Sequence, residues 1–135
     1  MAVDREEMRR ILTTAKTIAV VGLSNNPDRP SYEAASYLKA AGYRIIPVNP
    51  TISEALGEKA YASLRDIREP VDVVQIFRRP EEVPQVVDDA IAIKAKAVWM
   101  QPGAENEAAA ARARAAGLLV VVGACMMVAH RRFVG

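Results

Sequence analysis

The chain is short of several things, and each shortage removes a class of function. Among 135 residues there is one cysteine, Cys125, and one histidine, His130. No internal disulfide can form, and no Cys/His set is present for structural zinc. Charge of one sign is also missing: 18 Lys and Arg stand against 16 Asp and Glu, a net charge of +2. Binding along a phosphate backbone usually needs a basic face, so nucleic acid is not an expected partner. No apolar run approaches the roughly 20 residues of a membrane span. The stretch Met1 to Arg10 is charged and lacks the apolar centre of a signal peptide. The expected compartment is cytoplasmic, with no membrane partner.

What is present is an ordinary globular composition, 51% hydrophobic and 25% charged, of a length suited to one domain over residues 1–135. Asp4 to Ala15 reads as a helix, with Met8, Ile11 and Leu12 at helical spacing. Thr17 to Val21 is apolar on both faces and ends at Gly22, as a buried parallel strand does. Ser31 to Ala41 reads as a helix closed by Gly42. Tyr43 to Val48 is a second strand, in which Pro47 is expected to cost one ladder hydrogen bond. Asn49 to Pro70 is rich in turns; its middle, Leu56 to Tyr61, fits either a turn or a short irregular strand. Val71 to Phe77, Ala97 to Met100 and Leu118 to Val122 complete five strands. Helices over Glu81 to Ile93 and Glu105 to Ala116 separate them, and Met126 to Phe133 suits a last short helix.

Strands alternating with helices of about a dozen residues imply right-handed β-α-β units. The expected fold class is α/β: a Rossmann-like, doubly wound sheet of five parallel strands in the order 3-2-1-4-5, with helices on both faces. Ligands of such sheets bind beyond the carboxyl ends of the strands, at the switch point beside strand 1. Five loops start there, at Gly22, Asn49, Phe77, Gln101 and Gly123.

Loop one runs Gly22-Leu23-Ser24-Asn25-Asn26-Pro27-Asp28-Arg29-Pro30. Gly22 permits close backbone approach to a phosphate, the following helix start favours an anion, and Ser24, Asn25, Asn26 and Arg29 supply further donors. Loop three, Phe77-Arg78-Arg79-Pro80, offers two guanidinium groups for phosphates and an aromatic face. In loop four, Gln101 and the backbone at Gly103 are contact candidates, while Trp99 reads as core. The dinucleotide fingerprint G-x-G-x-x-G is absent, since positions 24 and 27 are Ser and Pro. The second strand ends in Asn49-Pro50 and not in the acidic residue that holds an NAD ribose. No phosphate-binding loop of the ATPase type occurs either.

No catalytic set is recognisable. His130, beside Arg131 and Arg132, reads as solvent-facing, and Asp66, Glu69 and Asp72 read as solvation and capping. Cys125 falls on the ligand edge as either a packed small residue or a reactive thiol. In the expected strand order it lies two strands, about 10 Å, from strand 1.

Five segments in register carry a resemblance. Val20-Val21-Gly22-Leu23-Ser24, Asp28-Arg29-Pro30-Ser31, Pro47-Val48-Asn49-Pro50, Val71-Asp72-Val73-Val74 leading into Phe77-Arg78, and Trp99-Met100-Gln101 look like those of the small stand-alone coenzyme A (CoA)-binding proteins. These in turn resemble the CoA-binding domain of the succinyl-CoA synthetase α subunit. The resemblance implies CoA as cofactor, held by Gly22, Ser24, Asn26, Arg29, Asn49, Pro50, Phe77, Arg78, Gln101 and Gly103. Thr51 stands where relatives often carry a basic residue, and Gly123-Ala124 where many carry Asp-Arg. The implied role is a binding module for CoA or an acyl-CoA, a carrier, sensor or regulator without its own chemistry. Two other readings are an NAD(P)-dependent redox enzyme, whose signatures are missing, and a ligand-free protein-interaction domain. A protein partner or a homo-oligomer is compatible with all three.

Overall fold

Why the strands of the main sheet form is plain from their composition: each is a four- or five-residue, mostly apolar run bounded by turn formers. The computed structural model describes residues 5–135. In chain order the elements begin with α1 (Arg5–Thr14), β1 (Thr17–Val21), α2 (Pro30–Ala40) and β2 (Arg44–Val48). A small antiparallel hairpin, β3 (Glu54–Ala55) and β4 (Glu58–Lys59), and a 3-10 turn at Leu64–Asp66 follow. Then come β5 (Val73–Ile76), a 3-10 turn at Pro80–Glu82, α3 (Val83–Ala92), β6 (Ala97–Met100), α4 (Glu107–Ala115), β7 (Leu119–Val122) and α5 (Met126–Phe133). The expected helix start at Asp4 lies outside the described residues. No helix among the described residues is long and apolar enough to cross a membrane.

The five parallel strands of the sheet separate two apolar layers. Ile18, Val20, Ile45, Val73, Trp99 and Val121 pack with Met8, Ile11, Leu12, Leu38 and Met126, which places α1, α2 and α5 on one face. Ala19, Ile46, Val74, Ile76, Val98 and Val120 pack with Val83, Val87, Ala110 and Ala113, placing α3 and α4 on the other. Adjacent residues of one strand serve opposite layers, so every strand is buried on both sides.

The strand order corrects one expectation. The sheet runs β2-β1-β5-β6-β7, which in strand count is 2-1-3-4-5 and not 3-2-1-4-5. The third strand pairs with the free side of β1 because the outer edge of β2 is already covered. Tyr61 bridges Val48 there, donating to Pro47 O at 2.9 Å, and Tyr61 O accepts from Asn49 N at 2.8 Å. Arg44 also pairs with Glu58 and Glu69 beyond that edge. Pro47 therefore costs the β1 ladder nothing: its carbonyl, and with it the position of its missing N–H, faces outward. At the other end, Asp72 accepts from Lys16 N and Thr17 N at 2.8 and 3.0 Å, which fixes the start of β1 beside β5. On the far side of the sheet, Glu7 of α1 accepts from Val120 N of β7 at 3.0 Å.

His130 is the second correction. It is 8% exposed and not solvent-facing, with Nδ1 3.0 Å from the Tyr37 hydroxyl. The Tyr37 and Tyr43 rings meet it edge-on at 5.4 and 5.6 Å. The cause is spacing: Met126, Ala129 and His130 form the inward stripe of α5, and burial of the helix takes the imidazole with it.

Candidate functional site

Register places all five candidate loops on one edge. Val21 lies level with Val48 and with Ile76, Ile76 with Met100, and Met100 with Val122. The next residues, Gly22, Asn49, Phe77, Gln101 and Gly123, therefore leave the sheet from a common line. Between β1 and β5 the connections diverge, one to α2 and the other to α3 on the opposite face. This divergence opens a crevice.

A cleft of about 710 Å³ occupies that crevice, lined by Gly22, Ser24, Arg29, Phe77, Arg78, Arg79, Gln101, Gly103 and Cys125, with Ser31 and Glu82 among its further walls. Nine of the thirteen residues expected from the sequence thus meet in one place; Asn25, Asn26, Asn49 and Pro50 are not on its wall. Gly22 is the hinge. Its φ is +89°, and a Cβ there would lie 2.1 Å from Phe77 O, so loops one and three touch through a position that only glycine fits.

Loop one is shaped by its own polar side chains. Ser31 Oγ, at the start of α2, accepts from Ser24 N at 3.1 Å; Ser24 Oγ accepts from Asn26 N at 3.0 Å. Asn26 Oδ1 accepts from Asp28 N at 3.0 Å, so this asparagine builds the turn and does not face the cleft. Asn49 works similarly from the second loop. Its Nδ2 donates to Leu23 O at 3.1 Å, and its Oδ1 accepts from Thr51 N and Thr51 Oγ1. Thr51, which stands where the family resemblance would put a basic residue, thus orients Asn49. Pro50 borders a separate hollow of about 390 Å³ with Val48, Leu64, Arg78 and Glu82. Arg78 and Glu82 are common to this hollow and the main cleft.

The three arginines differ. Arg79 is 76% exposed and is drawn to Glu82 at 3.4 Å and Glu81 at 3.8 Å. The Arg79 side chain and backbone N–H hold the Glu82 carboxyl below its ordinary range. Arg29, which caps α2, and Arg78 form no salt bridge among the described residues. They bring two positive charges without an ion pair from loops that leave toward opposite faces, and Arg78 also acts on Glu82 through space. The N–H of Gly103, expected to meet a ligand, is engaged by Glu105 Oε1 at 2.8 Å.

Beneath the far end of the cleft the expected contact residue Gln101 is paired with Gln75, a residue not among those expected from the sequence. Gln75 and Gln101 are 0% and 3% exposed, and Gln75 Nε2 donates to Gln101 Oε1 at 3.2 Å. The same oxygen accepts from Met126 N at 2.8 Å, and Gln75 Oε1 has no partner. The signal was in view: Gln75 is the one polar residue inside an otherwise apolar buried strand. Trp99 is fully buried, as expected, and its Nε1 donates to Ala124 O at 2.8 Å. No three His, Cys, Asp or Glu side chains converge among the described residues.

The comparisons with known proteins meet this geometry. A family model described as a CoA binding domain matches residues 16–131. The chain belongs to that family. It is 45% identical over 127 residues to the uncharacterized protein YneT of Bacillus subtilis, covering 94% of each chain. It is 35% identical over 80 residues, 58% of this chain, to an ADP-forming acetate–CoA ligase of Archaeoglobus fulgidus, of which it spans only 12%. A solved hypothetical protein from Pyrococcus horikoshii superposes with a TM-score of 0.94 at 41% identity, over 98% of this chain and 93% of that one. A dinucleotide-forming acetyl-coenzyme A synthetase from Ca. Korarchaeum cryptofilum matches with a TM-score of 0.66 at 29% identity, over 78% of this chain and 25% of that one. The strand-end cleft is thus carried on a family fold found both alone and as a segment of larger ligases.

Proposed function

We propose that the protein binds CoA, or an acyl-CoA, in the cleft at the carboxyl edge of the sheet, as a carrier, sensor or regulatory module. The observation that carries this reading is the pair of guanidinium groups free of salt bridges among the described residues, Arg29 and Arg78, on the two lips of the β1/β5 crevice. Gly22 keeps the crevice floor open to backbone approach, and loop one is already shaped by Ser24, Ser31 and Asn26 before any ligand arrives. Little ordering entropy then opposes binding. The diphosphate sits between Arg29 and Arg78. The nucleoside enters the hollow bordered by Val48, Pro50 and Leu64, and the pantetheine arm runs over β5 and β6 toward Gln101. Family membership supports CoA over NAD(P), and β2 ends in Asn49-Pro50 without an acid for a ribose.

Titration calorimetry tests the reading. CoA should give saturable binding, and NAD should give none. Arg78→Ala removes one charge-assisted contact, worth about 1.5–3 kcal/mol, so affinity for CoA should fall about ten-fold or more. Saturable binding of CoA that Arg78→Ala leaves unchanged would move the phosphates elsewhere.

A further inference from the structure

We propose that the far end of the cleft is a thiol-exchange site: Cys125 reacts with CoA disulfide and retains one CoA as a mixed disulfide. The inference rests on the CoA reading above and adds to it a covalent step and an oxidised substrate.

Cys125 is half-buried and lines the same cleft as Arg29 and Arg78. Its place is fixed from both sides. The carbonyl of Ala124 is held by Trp99 Nε1 at 2.8 Å, and the N–H of Met126 is held by Gln101 Oε1 at 2.8 Å. Both clamps come from side chains buried in the sheet, so the thiol does not swing with a loose loop.

Gln101 supplies an independent sign of a ligand at this end. A backbone N–H can only donate, so the bond from Met126 identifies the oxygen end of the Gln101 amide. Gln75 Nε2 donates to the same oxygen. The other end, Gln101 Nε2, has no acceptor among the described residues, although the residue is 3% exposed and on the cleft wall. Gln75 Oε1 is the buried polar atom left without a partner, so Gln101 Nε2 keeps its access to the cleft, where a ligand carbonyl can accept from it. The pantetheine arm of CoA carries two amide carbonyls.

The observed strand order makes the lengths agree. A diphosphate over the β1/β5 crevice lies two and a half to three strand spacings from β7, about 12–14 Å at about 4.8 Å per spacing. The arm from diphosphate to sulfur has the bond count of about four extended residues, which span about 13–14 Å. The expected order 3-2-1-4-5 would have placed the thiol closer and left the arm slack.

In the exchange, the Cys125 thiolate attacks one sulfur of the CoA disulfide and that S–S bond breaks. A new S–S bond joins Cys125 to one CoA. The other CoA leaves as a thiolate and takes up the proton that Cys125 released. Cys125 is oxidised, the departing CoA sulfur is reduced, and no further oxidant is needed. The chain has no second cysteine to displace the adduct, so it persists until an external thiol arrives.

The test weighs the intact protein after incubation with CoA disulfide and, separately, with glutathione disulfide at equal concentration. The expected result is a gain of one CoA unit, formed at least ten-fold faster than the glutathione adduct, reversed by dithiothreitol and absent in Cys125→Ser. Calorimetry of both proteins with reduced CoA separates the two claims. If both bind CoA but the parent forms no adduct, or reacts equally fast with glutathione disulfide, the thiol-exchange site is refuted and the CoA reading stands. If neither binds CoA, both fall.

Discussion

Replacing Gly22 by alanine should destabilise the fold far more than the same change at Gly103, although both glycines have left-handed backbones at the cleft. Gly22 has φ +89° and Gly103 +95°, so each substitution incurs a conformational cost of about 1–2 kcal/mol. The surroundings then separate them. A Cβ on Gly103 meets nothing within 4 Å, whereas one on Gly22 stands 2.1 Å from Phe77 O and 3.1 Å from Phe77 C. The clash cannot be relieved by a side-chain rotation. Gly22 N donates to Val48 O at 2.8 Å and Phe77 N to Val21 O at 2.9 Å, so moving either strand end strains the ladder. Forced shifts of this kind cost about 1–3 kcal/mol, giving a total near 2–5 kcal/mol against a typical stability of about 5–15 kcal/mol. Urea unfolding followed by circular dichroism measures both variants, with an unchanged slope required for the comparison. Equal losses for Gly22→Ala and Gly103→Ala would refute the argument that contact with Phe77 fixes the residue. A corollary is that lost CoA binding in a Gly22→Val variant cannot be read as a lost ligand contact.

Partly buried polar groups give two more expected outcomes. Burial alone would raise the Asp72 carboxyl, but the N–H groups of Lys16 and Thr17 and the Lys96 ammonium outweigh it and hold it below the usual range. A lowered folded value means that this stabilisation is present above the unfolded value of about 3.9 and is lost as pH falls through the folded one. Asp72→Asn should therefore flatten the acid limb of stability against pH, and an unchanged limb would contradict the assignment. Tyr37→Phe leaves the imidazole of His130 without its 3.0 Å partner. It should cost about 1–3 kcal/mol in urea unfolding; a loss below about 0.5 kcal/mol would mean that the bond contributes little.

The site was more legible in the sequence than the topology that builds it. Gly22, Asn49, Phe77, Gln101 and Gly123 each follow an apolar run directly, so local pattern alone located the loop starts, and the level register then aligned them. Strand order is a non-local property. It turned on Tyr61 reaching back to β2, a contact that leaves no periodic trace. The arginines were found by charge and position, but their availability depends on neighbours: Glu82 pairs with Arg79, while Arg78 feels the same carboxylate without forming an ion pair among the described residues. Asn26 and Asn49 are as able to build turns as to bind ligands, and only geometry distinguishes the two uses. His130 had the spacing of a core residue beside Met126 and Ala129, yet its polarity pointed outward. The Tyr37 hydroxyl, 93 residues away, is what makes its burial tolerable.

The way the two outermost strands are finished bears on how the molecule meets its own copies. A parallel sheet with bare sides is a template for further strands, and copies of one chain would join through it into a growing ribbon. Here the β2 side is taken by the bridge to Tyr61 and by the charges of Arg44, Glu58 and Glu69, and on the β7 side a backbone donor, Val120 N–H, is spent on Glu7. Association by sheet extension is thus opposed at both ends. Copies of the chain that meet edge to edge find no free ladder to extend, so the sheet does not serve as the glue between them.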